Sequence, residues 1–338
     1  MRVTTIHAPG DIRVEERPDP TIEHPAQAVL KVVAGCICGS DLWPYRGENP
    51  ITPGSPIGHE MVGVVEEIGP EVREFGVGDF VVAPFVHCDN TCPHCAAGMT
   101  SACQNQGFTV GGQGEYAVVH QADGSLVRTD GMPDEELIPS LLTLSDVMAT
   151  GWHAAVAAGV RPGSTAVVVG DGAVGLCGVI AAAQLGAERV VAMSRHEPRQ
   201  KLATDFGATH VVAERGEEGE QRILELTDGV GADAVLECVG TNASMDTAFK
   251  MARPGSTVGF VGVPHGVELP IRRMFSKNVG LAGGMAPVRT YLPHLLDLTL
   301  SGAIDPGRVF DLTLPLDEVA EGYRAMDERR AIKVLIEP

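Results

Sequence analysis

The feature that most constrains the fold is a run of residues near the middle of the chain, positions 165–186. It begins with a short apolar stretch, Ala166 to Val169, whose β-branched residues predict a strand that is buried on both faces. Three glycines follow at G-x-G-x-x-G spacing, and an apolar helical segment then continues to Gly186. A strand, a glycine turn and a helix in this order predict an α/β domain in which backbone N–H groups converge on an anion.

The glycine turn has the spacing of a dinucleotide-binding site, and a second strand, residues 189–193, follows at the distance of a βαβ unit. Gly170 permits the tight turn, Gly172 lets the backbone approach a pyrophosphate, and Gly175 lets the helix pack closely on the strand. We therefore expect the whole turn to contact the cofactor: Gly170, Gly172, Ala173, Val174 and Gly175.

The end of the second strand bears on which dinucleotide binds. A site specific for NAD usually carries Asp or Glu there to bond the adenosine ribose. Here Ser194 and Arg195 follow the strand, and no carboxylate occurs before Glu197. Ser194 can hydrogen-bond a 2′-phosphate, and Arg195 can pair with it or stack on adenine. The sequence therefore predicts a preference for NADP(H), with an ordinary solvent-exposed Arg195 as the alternative.

Composition narrows the class of protein. The chain has 338 residues, enough for two domains, and a net charge of −19 argues against nucleic acid and anionic membranes as partners. Asp171 and four glycines interrupt the central apolar run, so it does not predict a membrane span. The first residues form a strand-like pattern without an apolar signal core, which indicates a cytoplasmic protein. In that compartment eight cysteines suggest metal binding before disulfides.

The order of predicted elements separates the two domains. The first 120 residues or so read as short strands with frequent turns, and residues 133–160 turn helical. A helix over Leu316 to Arg329 and a strand over Lys333 to Ile336 end the chain. The nucleotide domain lies between, with strands predicted at 166–169, 189–193, 209–212, 233–237, 257–261 and 279–282.

Two groups of residues could bind metal. Cys88, Cys92, Cys95 and Cys103 are close enough in sequence to hold one tetrahedral, structural Zn²⁺, with His87 and His94 as possible substitutes. The second group is scattered. It comprises Cys38, His59 with Glu60, and Asp146, and spacing alone does not separate Cys38 from Cys36.

Three segments carry a resemblance to a known family: 35–41 (GCICGSD), 58–60 (GHE) and 145–153 (SDVMATGWH). They resemble, in the same order, the metal-binding segments of the zinc-dependent alcohol dehydrogenases of the medium-chain dehydrogenase/reductase superfamily. The resemblance covers essentially the whole chain. It implies a catalytic zinc held by Cys38, His59 and Asp146.

The four-cysteine segment resembles the family's structural zinc site, with one departure. Three residues separate Cys88 from Cys92, where two are usual. The resemblance therefore implies two zinc ions per chain, one catalytic and one structural.

The resemblance also implies an architecture. Residues 1–147 and 287–338 would form a GroES-like, β-rich catalytic domain, and residues 148–286 an inserted Rossmann domain with a doubly wound parallel sheet. The active site would lie between them, and a homodimer or homotetramer is expected. Further cofactor contacts are implied at strand ends and at a basic residue near the C-terminus: Cys238, Val239, Val261, Val263 and Lys333.

The implied reaction transfers a hydride between an alcohol and C4 of the nicotinamide, with aldehyde or ketone reduction in reverse. Ser40 matches the hydroxyl that relays the alcohol proton. Glu60 would either visit the metal during ligand exchange or tune the field around it, with the second as its expected resting role. Many relatives carry a histidine where this chain has Trp43, so the proton needs another exit. Trp43 and Trp152 are candidate walls of the substrate pocket.

Two alternatives remain at this stage. One is a polyol or sugar dehydrogenase of the same superfamily, which would need a more polar pocket. The other is a cofactor-binding protein without turnover.

Overall fold

The computed structural model describes all 338 residues, Met1 to Pro338. Its strands vary from two to nine residues. In chain order they are β1 (Arg2–Ala8), β2 (Asp11–Glu16), β3 (Ala28–Cys36), β4 (Ser55–Pro56), β5 (Glu60–Ile68), β6 (Phe80–Ala83), β7 (Val86–His87), β8 (Gly107–Phe108), β9 (Tyr116–Val119), β10 (Val127–Arg128), β11 (Thr165–Val169), β12 (Arg189–Met193), β13 (His210–Val212), β14 (Ala232–Glu237), β15 (Ala252–Phe260), β16 (Gly280–Gly283), β17 (Phe310–Pro315) and β18 (Lys333–Glu337).

The helices concentrate in the second half of the chain. They are α1 (Leu42–Tyr45), α2 (Pro93–Ala96), α3 (Ala122–Ser125), α4 (Ile138–Thr143), α5 (Val147–Ala158), α6 (Ala173–Gln184), α7 (Glu197–Asp205), α8 (Gly216–Leu226), α9 (Asn242–Met251), α10 (Ile271–Lys277), α11 (Val288–Leu300) and α12 (Val319–Asp327). No helix combines the length and the apolar character that crossing a membrane would require.

The chain forms two compact units, residues 1–146 with 287–338 and residues 147–286. The second unit holds a six-stranded sheet in the order β13-β12-β11-β14-β15-β16, and every neighbouring pair in it is parallel. This is the strand order of a Rossmann fold, so the predicted fold class of this domain is confirmed. Its central strands β12, β11 and β14 are buried on both faces, which explains why the sequence shows continuous apolar runs there in place of alternation.

The first unit is β-rich, and its largest sheet has the order β10-β6-β5-β3-β18-β17, with β9 also pairing β3. Antiparallel pairing of β3 with β5 sets Cys36 opposite Glu60. The turn that follows β3 and the residue that precedes β5 therefore meet, which brings Cys38 towards His59. On the other side of β3, antiparallel pairing with β18 sets Leu335 opposite Cys36.

One predicted element is shorter than expected. The helix predicted over Leu316 to Arg329 is a 3₁₀ turn, Leu316–Glu318, followed by α12, which ends at Asp327. Arg329 has a left-handed φ of 60°, a conformation that cannot continue a right-handed helix.

Candidate active site

Four side chains from three segments of the first unit form one buried cluster. Cys38, His59, Glu60 and Asp146 each offer a ligand atom, and these atoms all lie within 4.8 Å of one another. The Asp146 carboxylate oxygen is 3.6 Å from Cys38 Sγ and 3.5 Å from His59 Nε2. Tetrahedral zinc ligands stand about 3.3–3.8 Å apart, given bond lengths of about 2.0–2.3 Å. The spacing and the donor types therefore fit zinc.

Burial shapes the protonation of this cluster. It raises the pKa of the Cys38 thiol to about 11, with further contributions from Asp146 and Glu60. Two carboxyl groups and a thiol confined together are costly as anions unless a cation compensates them. Metal binding supplies that compensation by holding the thiol as a thiolate.

The imidazole of His59 is oriented by a residue that sequence reasoning did not single out. Its Nε2 lies towards Asp146, and its Nδ1 is 3.4 Å from the carboxylate of Asp41. A carboxylate on the far nitrogen fixes the orientation of a metal-binding histidine. Asp41 is itself held by the backbone N–H of Cys38, at 3.0 Å. The acid follows Cys38 by three residues, and that spacing was the available signal.

Asp41 is the inner end of a buried hydrogen-bond chain. Gln113 donates through Nε2 to Asp41 at 3.2 Å and to the carbonyl oxygen of Cys36 at 3.1 Å. Its Oε1 accepts the hydroxyl of Tyr323 at 3.0 Å. Gln113 and Tyr323 are both 0% exposed. Nothing in the local sequence marks these two residues, because only the fold brings α12 to the ligand turn.

The close approach of Gln113 also explains a glycine in the ligand motif. Gly58 has a left-handed φ of 90°, and a Cβ added there would lie 2.5 Å from the Gln113 side chain. Any other residue at this position would strain the backbone and displace the amide.

Lys333 has a partner different from the one predicted. We expected it to meet the cofactor phosphates, but its ammonium is 1% exposed and donates to Glu60 at 2.7 Å and to the Ile37 carbonyl at 3.2 Å. The parallel and antiparallel pairings of β18 bury it beside the metal ligands. One carboxylate oxygen of Glu60, Oε2, is buried without a hydrogen-bond partner, as expected of an atom left available to a cation.

Aromatic rings border the cluster. Phe85 and Phe108 lie 6.0 and 6.4 Å from the ring of His59, and 6.2 Å from each other. Phe108 is 58% exposed, which is unusual for so large an apolar side chain. Sequence reasoning proposes only tryptophans as pocket walls.

The predicted relay residue and the two predicted pocket tryptophans differ in how far they are buried. Ser40 is half-buried within the 3₁₀ turn Gly39–Asp41 that follows Cys38. Trp43 is half-buried on α1, and the Arg46 guanidinium stands 5.8 Å from its ring centre. Trp152 is 6% exposed on α5 in the second unit. Their contacts with substrate remain predictions.

The cysteine-rich segment forms a second buried cluster in the first unit. Cys92 Sγ lies 3.6 Å from Cys95 Sγ and 3.9 Å from Cys103 Sγ. Those separations suit thiolates around one zinc, for which about 3.8 Å is expected. Cys88 is packed with them, but the compact ligand group consists of Cys92, Cys95 and Cys103 with Asp89. Asp89 was not among the predicted ligands.

The glycine turn of the second unit has the form required of a phosphate cradle. Gly170 has a φ of 118°, and a Cβ at Gly175 would lie 2.0 Å from the Gly170 carbonyl oxygen. A Cβ at Gly172 would meet nothing within 4 Å, so the space in front of this residue is open. The helix α6 begins at Ala173, and the first N–H groups of a helix have no partner within it. These features fit a dinucleotide pyrophosphate.

The end of β12 contains an interaction that the sequence did not suggest. Ser194 is 2% exposed, and its hydroxyl donates to the carboxylate of Asp171 at 2.8 Å. Arg199 approaches the same carboxylate at 3.4 Å. Arg195, in contrast, is exposed. An acidic group thus reaches the end of β12 from the glycine turn, although β12 itself ends without one.

The predicted strand-end residues lie around this turn. A Cβ at Gly170 would be 2.9 Å from the Val239 side chain, and one at Gly240 would be 2.1 Å from the Val263 carbonyl oxygen. Both valines are exposed, at 40% and 50%. Glu237 fixes the loop by accepting the N–H groups of Val239 and Gly240, each at 2.9 Å. The remaining two residues of the predicted set also lie at these strand ends: the Cys238 N–H donates to the Val169 carbonyl oxygen at 3.0 Å, and the Val261 N–H to the Glu237 carbonyl oxygen at 2.9 Å.

Comparison with known proteins identifies the family. The profile of the alcohol dehydrogenase GroES-like domain matches residues 24–130, and that of the zinc-binding dehydrogenases matches residues 173–301. A probable zinc-binding alcohol dehydrogenase of Mycobacterium tuberculosis is 39% identical over 332 residues, which cover 96% of this chain and 84% of that protein. The chain belongs to the zinc-binding alcohol dehydrogenases of the medium-chain dehydrogenase/reductase superfamily.

Solved structures of zinc-binding alcohol dehydrogenases and their relatives have the same fold. The alcohol dehydrogenase TADH from Thermus sp. ATN1 superposes with a TM-score of 0.91 at 32% identity, covering 100% of this chain and 99% of that one. A protein of Sinorhizobium meliloti 1021, provisionally assigned as a zinc-binding dehydrogenase and solved bound to NADP, gives 0.84 at 25% identity, with 100% and 99% covered. The predicted GroES-like and Rossmann domains, and the predicted superfamily, are therefore confirmed.

Proposed function

We propose that this zinc-binding alcohol dehydrogenase oxidises alcohols to aldehydes or ketones with NADP⁺, and catalyses the reverse reduction with NADPH. The observation that carries the proposal is the buried cluster of Cys38, His59 and Asp146. One thiolate, one imidazole and one carboxylate form a three-ligand set of the kind that leaves a zinc position open to substrate.

The chain's own residues position and deprotonate the substrate. When bound, zinc would supply a Lewis acid for the substrate oxygen, and the nicotinamide would accept or donate the hydride. Ser40 is two residues beyond Cys38 and relays the hydroxyl proton. The indole of Trp43 has no titratable group, so the proton leaves Ser40 by a route that does not include this position.

Glu60 acts on the field around the metal. Its pairing with Lys333 holds the carboxylate in place, and we assign it this role in preference to permanent ligation. Asp41 keeps the imidazole of His59 oriented towards the other ligands.

The cofactor preference rests on the end of β12. Ser194 and the exposed Arg195 follow β12; Arg195 offers a cation to a 2′-phosphate, and the strand end contributes no acid of its own. The NADP-bound Sinorhizobium meliloti protein, which shares this fold, is consistent with the proposal. Arg195→Asp tests it, with the ratio of kcat/KM for NADPH to that for NADH as the readout. We expect the ratio to fall at least tenfold; an unchanged ratio would remove the assigned phosphate contact.

The substrate class follows from the rings near His59. Phe85 and Phe108 present apolar surface beside the cluster, which favours an alcohol with an apolar body over a polyol. Initial rates of the zinc-loaded enzyme with benzyl alcohol, 1-hexanol, sorbitol and glucose, each with NADP⁺, separate the two classes. Faster turnover of sorbitol or glucose would instead identify a sugar dehydrogenase. If protein carrying two zinc ions turns over none of these substrates, the result would favour a cofactor-binding protein without catalytic activity.

The variant Cys38→Ala tests whether Cys38 binds the catalytic zinc. We expect it to lose turnover while it keeps the structural zinc and the thermal unfolding profile of the wild type. Rates close to wild type would exclude Cys38 from the catalytic metal site.

Two further properties are part of the proposal. We expect a homodimer or homotetramer, which light scattering coupled to size-exclusion chromatography measures directly. We also place the protein in the cytoplasm, since none of the eight cysteines forms a disulfide, as is usual in a reducing compartment. Fractionation of the native host is the corresponding test.

A further inference from the structure

We propose that Asp89, rather than Cys88, is the fourth ligand of the structural zinc. The site is then a three-thiolate, one-carboxylate site, distinct in composition from the four-cysteine site that the sequence first indicates. The inference concerns the metal lobe alone and is independent of the proposed reaction.

The carboxylate of Asp89 lies among the three sulfurs that form the rest of the group. An oxygen of Asp89 lies within 4.8 Å of the sulfurs of Cys92, Cys95 and Cys103, and these three sulfurs are themselves within 4.8 Å of one another. The group therefore offers four donor atoms around a single point. Three sulfurs and one carboxylate oxygen are an acceptable tetrahedral set for zinc.

The spacing of the donors also favours Asp89. Three residues separate Cys88 from Cys92, whereas two separate Cys92 from Cys95. Asp89 restores the two-residue gap, giving Asp89-x₂-Cys92-x₂-Cys95-x₇-Cys103. A difference of one residue matters here because the intervening turn is tight, with Asn90 in a left-handed conformation at φ 55°.

Three hydrogen bonds hold the Asp89 carboxylate in position. Its Oδ1 accepts the backbone N–H groups of Thr91 and Cys92 at 2.8 and 2.9 Å, and its Oδ2 accepts the amide of Asn105 at 2.8 Å. These bonds hold the carboxylate in place against the loop, and Oδ2, which accepts a single hydrogen bond, keeps a lone pair for a metal. Hydrogen-bonded ligating carboxylates are typical of preorganised zinc sites.

Cys88 has other partners. Its Sγ donates to the carbonyl oxygen of Gly124 at 3.3 Å. Its backbone is bound on both sides by the Ser125 hydroxyl, which accepts the Cys88 N–H at 2.9 Å and donates to the Cys88 carbonyl at 3.2 Å. The Cys88 carbonyl packs so closely on Gly124 that a Cβ added to this glycine would lie 2.2 Å from the carbonyl oxygen. Cys88 thus anchors the lobe to α3 from within the buried cluster.

The test measures zinc per chain after dialysis against a mild chelator, together with the thermal unfolding midpoint. We expect Cys88→Ala and Cys88→Ser to retain two zinc ions per chain. Asp89→Asn should retain one, because the amide keeps an acceptor for the loop N–H groups but is a weak zinc ligand. Asp89→Cys should restore the second zinc. Two zinc ions in Asp89→Asn, or one in both Cys88 variants, would overturn the assignment.

A zinc-edge anomalous map of the wild-type protein gives an independent answer should a variant fail to fold. A zinc peak within bonding distance of an Asp89 oxygen and of three cysteine sulfurs is the expected result. A peak bonded to Cys88 Sγ, with the Asp89 carboxylate beyond bonding distance, would refute the proposal.

Discussion

The ammonium of Lys333 lies 2.7 Å from a carboxylate oxygen of Glu60, and solvent reaches neither side chain. The last strand of the chain thus supplies the counter-ion for an acid that stands next to a metal ligand in sequence. Further partners stabilise a pair this deeply buried: Lys333 finds one in the carbonyl oxygen of Ile37, whereas the second carboxylate oxygen of Glu60 has no hydrogen-bond partner.

Breaking this pair should destabilise the protein. Lys333→Met leaves the carboxylate of Glu60 buried without a counter-charge, so we expect the free energy of unfolding to fall by about 3–5 kcal/mol. Urea unfolding measures it. In the double variant Glu60→Gln with Lys333→Met, the loss should be smaller than the sum of the two single losses. Additive losses would show that the two side chains do not interact.

The hydrogen-bond chain behind His59 should tune zinc affinity. Asp41→Asn is expected to weaken zinc binding at the catalytic site by roughly 10- to 100-fold, because the imidazole loses its charged anchor. Tyr323→Phe should weaken binding less, since it acts through Gln113. Competition with a chromophoric chelator measures both, with Tyr116→Phe, on β9, as the matched control. Equal affinities in wild type and Asp41→Asn would contradict this positioning role.

The carboxylate of Asp171 should limit the preference for NADP(H). Asp171→Asn removes a negative charge from the surroundings of Ser194, so we expect 2′,5′-ADP to bind roughly fivefold more tightly, as about 1 kcal/mol of charge repulsion implies. Binding of 5′-AMP should change little. Isothermal titration calorimetry gives both constants. Glu188→Gln, at the opposite end of β12, is the control, and an equal gain in that variant would argue against a local effect.

Alanine substitutions at Gly175 and Gly172 of the phosphate turn should have different effects on stability. A methyl group at Gly175 meets the Gly170 carbonyl at 2.0 Å, so Gly175→Ala should lower the thermal unfolding midpoint and also weaken NADP⁺ binding at least tenfold. A methyl group at Gly172 meets no protein atom within 4 Å, so Gly172→Ala should keep the midpoint and lose only binding. Zinc content should remain at two in both variants. Wild-type NADP⁺ affinity in Gly172→Ala would exclude close contact between this turn and the pyrophosphate.

The Rossmann strands could be predicted from sequence because each is a short, continuous apolar run between turn residues. The turn at Gly170 could be predicted for the same local reason. The family's metal segments are also local patterns, which is why the sequence alone indicates Cys38, His59 and Asp146. The fold brings these three side chains into one cluster.

The surroundings of those side chains could not be predicted. The sequence places Lys333 at the cofactor phosphates, and only the pairing of β18 with β3 shows that it is buried against Glu60. Asp89 does not stand out in the sequence because a neighbouring cysteine offers the more familiar ligand. Asp171 is part of a turn in the sequence, yet it lies against the end of a different strand.

The sequence by itself determined which residues carry reactive groups and which stretches become strand, turn and helix, since these depend on side-chain chemistry and on spacing over a few residues. The tertiary structure decided which of those groups became neighbours. Gln113 and Tyr323 are 210 positions apart, and their hydrogen bond exists because folding removes both from water and leaves each with the other as a partner.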